Sequence, residues 1–341
     1  MNTSLIDAIA KTVLYEGYML YPYRASSVKN RQRFNFGVLY PKLYSEAQTG
    51  SDAWSMQTEC LVEVASPAVE APATETPAIE IRVRFLKLVA RNSHGIAQTT
   101  SAPWQEAIEC EIVVPPQNLD TLVATPLQWN FGFAAKEESE DLRDENGEIA
   151  GRIDRSQQSL QGTVLVNATR VAPDLFKLQV RVQNSTPLEG NPDQTSRDSA
   201  LMQSLVSAHT VLGVVNAQFV SLLEPPESLK NLAASCENIG AWPVLVGAVG
   251  QRDTMLASPI ILYDYPQIAP ESPGDLFDGT EIDEILALRI MTMTEDEKRE
   301  MRMTDDRTRK ILERTEALPM EHLAKLHGTL RELHSLKEDT P

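Results

Sequence analysis

The sequence predicts an α+β protein, with an antiparallel, sandwich-like β-sheet domain, a smaller mixed α/β layer and a C-terminal helical extension. Three observations carry this prediction. Period-two alternation of apolar and polar residues recurs from Ile79 to Val182, short apolar runs bounded by Gly and Pro follow it, and helix caps with helical apolar spacing dominate beyond Thr280. The implied divisions are 1–45 (an N-terminal helix and a basic aromatic loop), 46–195 (the antiparallel β domain, with a disordered insertion at 64–78), 196–270 (the mixed layer) and 271–341 (an acidic Pro-rich loop and helices).

Leu5, Ile6, Ile9 and Val13 sit at helical spacing, and Gly17 stops that helix. SPAVEAPATETP, residues 66 to 77, has no periodicity and reads as a disordered loop between strands. Ile79, Ile81, Val83 and Phe85 alternate with Glu80, Arg82 and Arg84, and the phase changes at Leu86 and Leu88, as in a half-buried strand with a bulge. Ile108, Cys110 and Ile112 form a second strand. Val164, Val166 and Ala168, a turn at Pro173-Asp174, then Phe176, Leu178, Val180 and Val182 form an antiparallel pair. The charged run 136–154 is an exposed excursion from the same sheet.

Ser196 to about Ala208 reads as helical, and Thr210 to Leu223 as a strand pair turning near Asn216. A short helix spans Leu229 to Ala234, and WPVLVGAVG and SPIILYDYP suit buried strands, with GAVGQRD as a hairpin turn. Thr280 caps a helix, Thr294 with Glu297 forms a capping box, and Leu323, Leu326, Leu330 and Leu333 make a stripe on the last helix.

Net charge narrows the partners. At −17, with pI near 4.8, the surface repels phosphate backbones and anionic lipid, so neither nucleic acid nor a bare membrane is expected to bind. Asp7, Lys11 and Glu16 interrupt what would be a signal peptide's apolar core, and no run reaches the length of a membrane span; a cytoplasmic protein is expected. Cys60, Cys110 and Cys236 are scattered and odd in number, which fits reduced thiols.

Two segments stand out as docking surfaces. In YPYRASSVKNRQRFNFGVLYP, residues 21 to 41, Arg24, Lys29, Arg31 and Arg33 are interleaved with aromatics such as Tyr23, a combination that holds anionic partners by bidentate and stacking contacts. The alternative is that the loop lies on the acidic segment 263–284 and neutralises it. The Pro-rich stretch 263–284, with Asp275 and Asp278, is the acidic counterpart; it lacks EF-hand spacing, and acids in a helix's first turn follow from the helix dipole. His209, placed at a helix-to-strand junction, could join Cys236 in a triad, but no nucleophile elbow is present. His322, His327 and His334 lack chelating spacing, and no nucleotide loop is found, so no cofactor or metal is expected.

The strings YPYRASSVKNRQRFNFGVLYP, SLVSAHTVLGVVNAQFVSLLEPPESL and SPIILYDYPQIAPESPGDLFDGTEIDEIL, followed by LRIMTMTEDEKREMRMTDDRTRKILERT, resemble an uncharacterised bacterial protein family whose members accompany high-affinity uptake nickel-iron hydrogenases. The resemblance covers about the first 45 residues and Ser204 to Thr315. It implies a non-catalytic accessory or assembly protein whose partners are hydrogenase subunits or maturation factors. Two rivals stand beside it: a metal-dependent hydrolase using the 271–284 carboxylates with His209, and a permanent structural subunit held through the leucine stripe.

Overall fold

In the computed structural model, which describes residues 3–16, 18–19, 23–24, 27, 30, 33–50, 52–64, 76–94, 104–143, 146–268 and 283–319, the alternating segments are strands of two antiparallel sheets. In chain order the elements are α1 (Thr3–Tyr15), α2 (Lys42–Ala47), β1 (Ser55–Val64), β2 (Ala78–His94), β3 (Trp104–Asn118), α3 (Leu119–Ala124), β4 (Leu127–Phe133), β5 (Lys136–Arg143), β6 (Ile149–Gln157), β7 (Leu160–Ala172) and β8 (Leu175–Asn184). They continue with α4 (Arg197–Leu201), β9 (Val206–Val215), β10 (Ala217–Phe219), α5 (Lys230–Ala234), β11 (Trp242–Leu245), β12 (Thr254–Ser258), α6 (Asp283–Met291), α7 (Glu295–Thr304) and α8 (Asp306–Glu316). The α+β class and the sandwich-like arrangement follow directly. Two compact units result, one of Met1–Tyr18 with Gln32–Gln267, the other of Met19–Arg31 with Ile268–Pro341.

In the first unit a five-stranded sheet runs β10-β1-β8-β7-β4, and a seven-stranded sheet runs β11-β12-β9-β2-β6-β5 with β3 also on β2. Their facing sides share one apolar core. Cys60, Val62, Val164, Val166, Phe176, Leu178, Val180 and Val182 come from one sheet; Ile79, Ile81, Val83, Phe85, Cys110, Ile112, Leu212 and Met255 come from the other. Alternation is the cause, because successive side chains on a strand point to opposite faces, and each fully buried aliphatic stabilises by about 1.5–3 kcal/mol. The β7/β8 pair has the expected register, with Val164 opposite Val182, Val166 opposite Val180 and Ala168 opposite Leu178.

An irregularity occurs where the β2 phase changes, but its cause is different from a slip in β2. Arg84 faces His209 and Leu86 faces Val206, so the extra residue belongs to β9, where Ser207 takes φ 52°. On β2, Phe85 through Val89 are all buried, and Phe85 and Lys87 both lie against Phe133. The alternation therefore persists; covering both faces made it illegible. A second bulge sits in β3 at Pro115-Pro116, which fits proline's confinement to edge strands and bulges.

The strands of 196–270 extend the sandwich: β10 edges the five-stranded sheet, while β9, β11 and β12 build the seven-stranded one. The turn at Asn216, φ 55°, thus separates two strands that enter opposite sheets and do not pair with each other. The helix capped by Ser196 ends at Leu201, because Leu205 is drawn into a two-way backbone pairing with Leu39. Among the described residues the last strand is TMLAS, ahead of the expected SPIILYDYP; within the latter, Ile260 and Leu262 pack in the α1 cluster while Ile261 and Tyr263 are exposed. The hairpin turn at 247–250 is present, with Gly247 and Gly250 at positive φ. Helix α1 covers the outer face of the seven-stranded sheet, seating Ile6, Ile9 and Val13 on Val211, Val244 and Leu256.

In the second unit, α7 begins at the expected box: Thr294 Oγ1 accepts from Glu297 N–H, and the Glu297 carboxylate accepts from Thr294 N–H. Asp305 and Thr308 form another at α8. Among the described residues no helix is long and apolar enough to cross a membrane. Most of the insertion expected at 64–78 (65–75), Thr280 and the leucine stripe lie outside the described residues.

Candidate functional site

The basic aromatic segment behaves differently at its two ends. Arg33 is 5 % exposed. Its guanidinium donates to Tyr18 O at 3.1 Å and Gln105 O at 2.5 Å, and stacks 4.5 Å over the Phe34 ring and 5.5 Å from Tyr18. A planar guanidinium with carbonyls at its rim and rings at its faces is a cross-link of the chain onto itself. Tyr23 is also buried. Arg24, in the second unit, is half-buried and pairs with Glu297 at 3.3 Å and Glu300 at 3.9 Å on α7. Arg24 is thus neutralised within the chain by α7, beyond the acidic stretch 263–284 expected to do so. Lys29, Arg31, Asp275 and Asp278 lie outside the described residues.

The segment's final residues are instead built into a cleft of the first unit. Asn35 to Tyr40 line it together with Asp52, Arg197 and Trp242, around a volume of about 380 Å³. Backbone bonds fix this stretch: Leu39 N–H to Leu205 O at 2.8 Å, Tyr40 N–H to Ala53 O at 2.8 Å, and Ala208 N–H to Gly37 O at 2.9 Å. Gly37 has φ 56°, and a Cβ there would lie 2.7 Å from Pro259 Cγ, so only glycine fits. Fully buried Asn184 locks the strip from below, donating to Leu39 O and Gln203 O at 2.8 Å each and accepting from Thr186 N–H.

Arg197, the first residue of α4, reaches over the strip and donates to Arg33 O, Phe34 O and Asn35 Oδ1 at 3.1–3.2 Å. Tyr40 and Tyr44 stack at 5.2 Å. Burial raises both phenols, opposed at Tyr40 by Arg197 and reinforced at Tyr44 by Asp52, so both remain protonated donors at neutral pH. Phe36 and Trp242 are 39 % and 42 % exposed, leaving two aromatic faces open to solvent at a braced cleft. The sequence marked the loop containing Phe36. It missed Arg197 and Trp242, which are far from it along the chain and carry no local motif.

The other reactive side chains are packed away. His209 lies inside β9, fully buried; its Nδ1 is 2.9 Å from Ser207 O, its Nε2 has no partner, and burial lowers its pKa to about 4. Cys236 packs with Leu61, Leu175 and Ala233 on the five-stranded sheet, with its thiol pushed up to about 11 by burial, so it is not drawn together with His209. Burial likewise raises Cys60 and Cys110, and all three thiols are free. Lys87, 2 % exposed, donates to Ala134 O at 3.0 Å, and burial lowers its pKa. Among the described residues, no three His, Cys, Asp or Glu side chains converge as metal ligands would. Comparison with known protein families gave no match, and comparison with curated proteins gave none either.

Proposed function

We propose that this chain is a non-catalytic accessory or assembly protein that docks a protein partner at the cleft of residues 35–40. The observation that supports this is a cleft lined by exposed Phe36 and Trp242 and by Asp52, one wall of which, the 35–40 strip, is held rigid by Asn184, Gly37 and Arg197. Aromatic anchors on a preorganised backbone are the usual energetic centre of a docking surface. The chemistry suits a lysine or arginine of the partner, with its cation over the indole and against the Asp52 carboxylate, and the net charge of −17 steers a basic surface toward the chain. From the family resemblance, the partner proposed is a subunit or maturation factor of an uptake nickel-iron hydrogenase, met in the cytoplasm.

The test is co-purification from a hydrogenase-producing host at increasing salt. Tagged wild type should retain hydrogenase proteins and release them as salt rises, while Phe36→Ala and Trp242→Ala should each lower recovery at least about tenfold. Equal recovery with both variants, at unchanged thermal stability, would remove the cleft from the account.

A further inference from the structure

The outer strands of the two sheets are treated unequally. Edge strand β3 carries Glu106, Glu109, Glu111 and the Pro115-Pro116 bulge; β5 carries Glu137, Glu138, Glu140 and Asp141. In β11, Pro243 lacks an N–H, Leu245 N–H is taken by Asp264, and Leu245 O accepts from Tyr265 N–H. Strand β10 has three residues, and its Phe219 N–H donates to Arg252 O. Charges, prolines, brevity and capping are the devices by which proteins stop an edge from recruiting another strand.

Strand β4 has none of them. Among the described residues its seven residues, LQWNFGF, pair only with β7, in unbroken register, and residues 121–135 contain no charge. Among the described residues nothing hydrogen-bonds to its outer edge. Leu127, Trp129, Phe131 and Phe133 face the core side yet stay half-exposed, since among the described residues no strand flanks β4 on the side away from β7.

We propose that β4 is the seam of a homodimer, pairing antiparallel with β4 of a second copy to join two five-stranded sheets into one. Two copies at −17 each repel across most of their surfaces, and a strand without charge is where that repulsion is least. A basic partner would find no acidic residue on it, whereas a second copy finds a self-complementary pattern. Centred on Asn130, antiparallel pairing sets Trp129 beside Phe131, Leu127 beside Phe133 and Gln128 beside Gly132, apolar against apolar on the inner face.

Sedimentation equilibrium on the full chain tests this, with Asn130→Lys and Asn130→Glu variants. Asn130 is exposed, so either change leaves the inner stripe intact, and circular dichroism checks the fold. Wild type should dimerise, more tightly as salt rises from about 0.05 to about 0.5 M because screening removes repulsion between the copies. That trend is opposite to the one expected for the basic partner at the cleft, so the two readings fail separately. Each variant alone should dimerise about fivefold more weakly, and an equimolar mixture of the two should recover the loss. A wild type that stays monomeric at every salt, or variants indistinguishable from each other, from wild type and from their mixture, would overturn the proposal.

Discussion

Acidification from pH 7 to pH 5 should destabilise the first unit chiefly through His209. The imidazole is fully buried on β9, with its Nδ1 on Ser207 O and its Nε2 without a partner, and burial, reinforced by the nearby Arg84 charge, lowers its pKa from 6.5 to about 4. Between those values the unfolded chain binds a proton that the folded chain refuses. Stability from this group is therefore complete above pH 6.5, declines as pH falls through 6.5, and is lost by about pH 4, where the deficit reaches about 3 kcal/mol. From pH 7 to 5 the loss is about 2 kcal/mol. The carboxylates that gain from folding, such as Asp154 and Glu297, have ordinary values of 3.8 and 4.5 and lose their contribution mainly below this window. The assay is urea unfolding followed by tryptophan fluorescence, because Trp54, Trp104, Trp129 and Trp242 all belong to the first unit. In His209→Gln the slope between pH 7 and 5 should flatten by about 2 kcal/mol, whatever the variant's stability at pH 7. Equal slopes in variant and wild type would refute the reasoning.

Arg33→Ala strips two carbonyls of a buried charged donor and opens the gap between Tyr18 and Phe34, which should cost the first unit about 3 kcal/mol in the same urea assay; Arg33→Lys should recover only part, lacking the planar stack. Gly37→Ala forces a left-handed alanine against Pro259 and should cost about 2–4 kcal/mol, with weakened partner recovery even where the protein stays folded. Thr294→Ala removes the α7 capping box and should lower the helical circular-dichroism melt of the second unit by about 1 kcal/mol, leaving tryptophan-detected unfolding unchanged.

Alternation on β7 and β8, the 294–297 capping box and the glycines at 247 and 250 were legible in the sequence, since strand period, cap chemistry and positive φ act over a few residues. The segment 21–41 could be singled out by composition, but its charges could not be placed. Arg33 and Arg24 look alike in sequence. Only packing made one a buried cross-link over Phe34 and the other an ion pair with α7.

Sequence alone determined which residues alternate, which cap and which turn, and hence that the chain forms antiparallel sheets with helices after them. The tertiary structure decided that Asn216 sends its strands to opposite sheets, that β2 is covered on both faces, that Trp242 and Arg197 line one cleft with Phe36, and that β4 is an uncharged edge. Those outcomes depend on which strand lies beside which. Pairing partners are selected by the burial of whole faces between distant segments, and no local window of sequence contains that free energy.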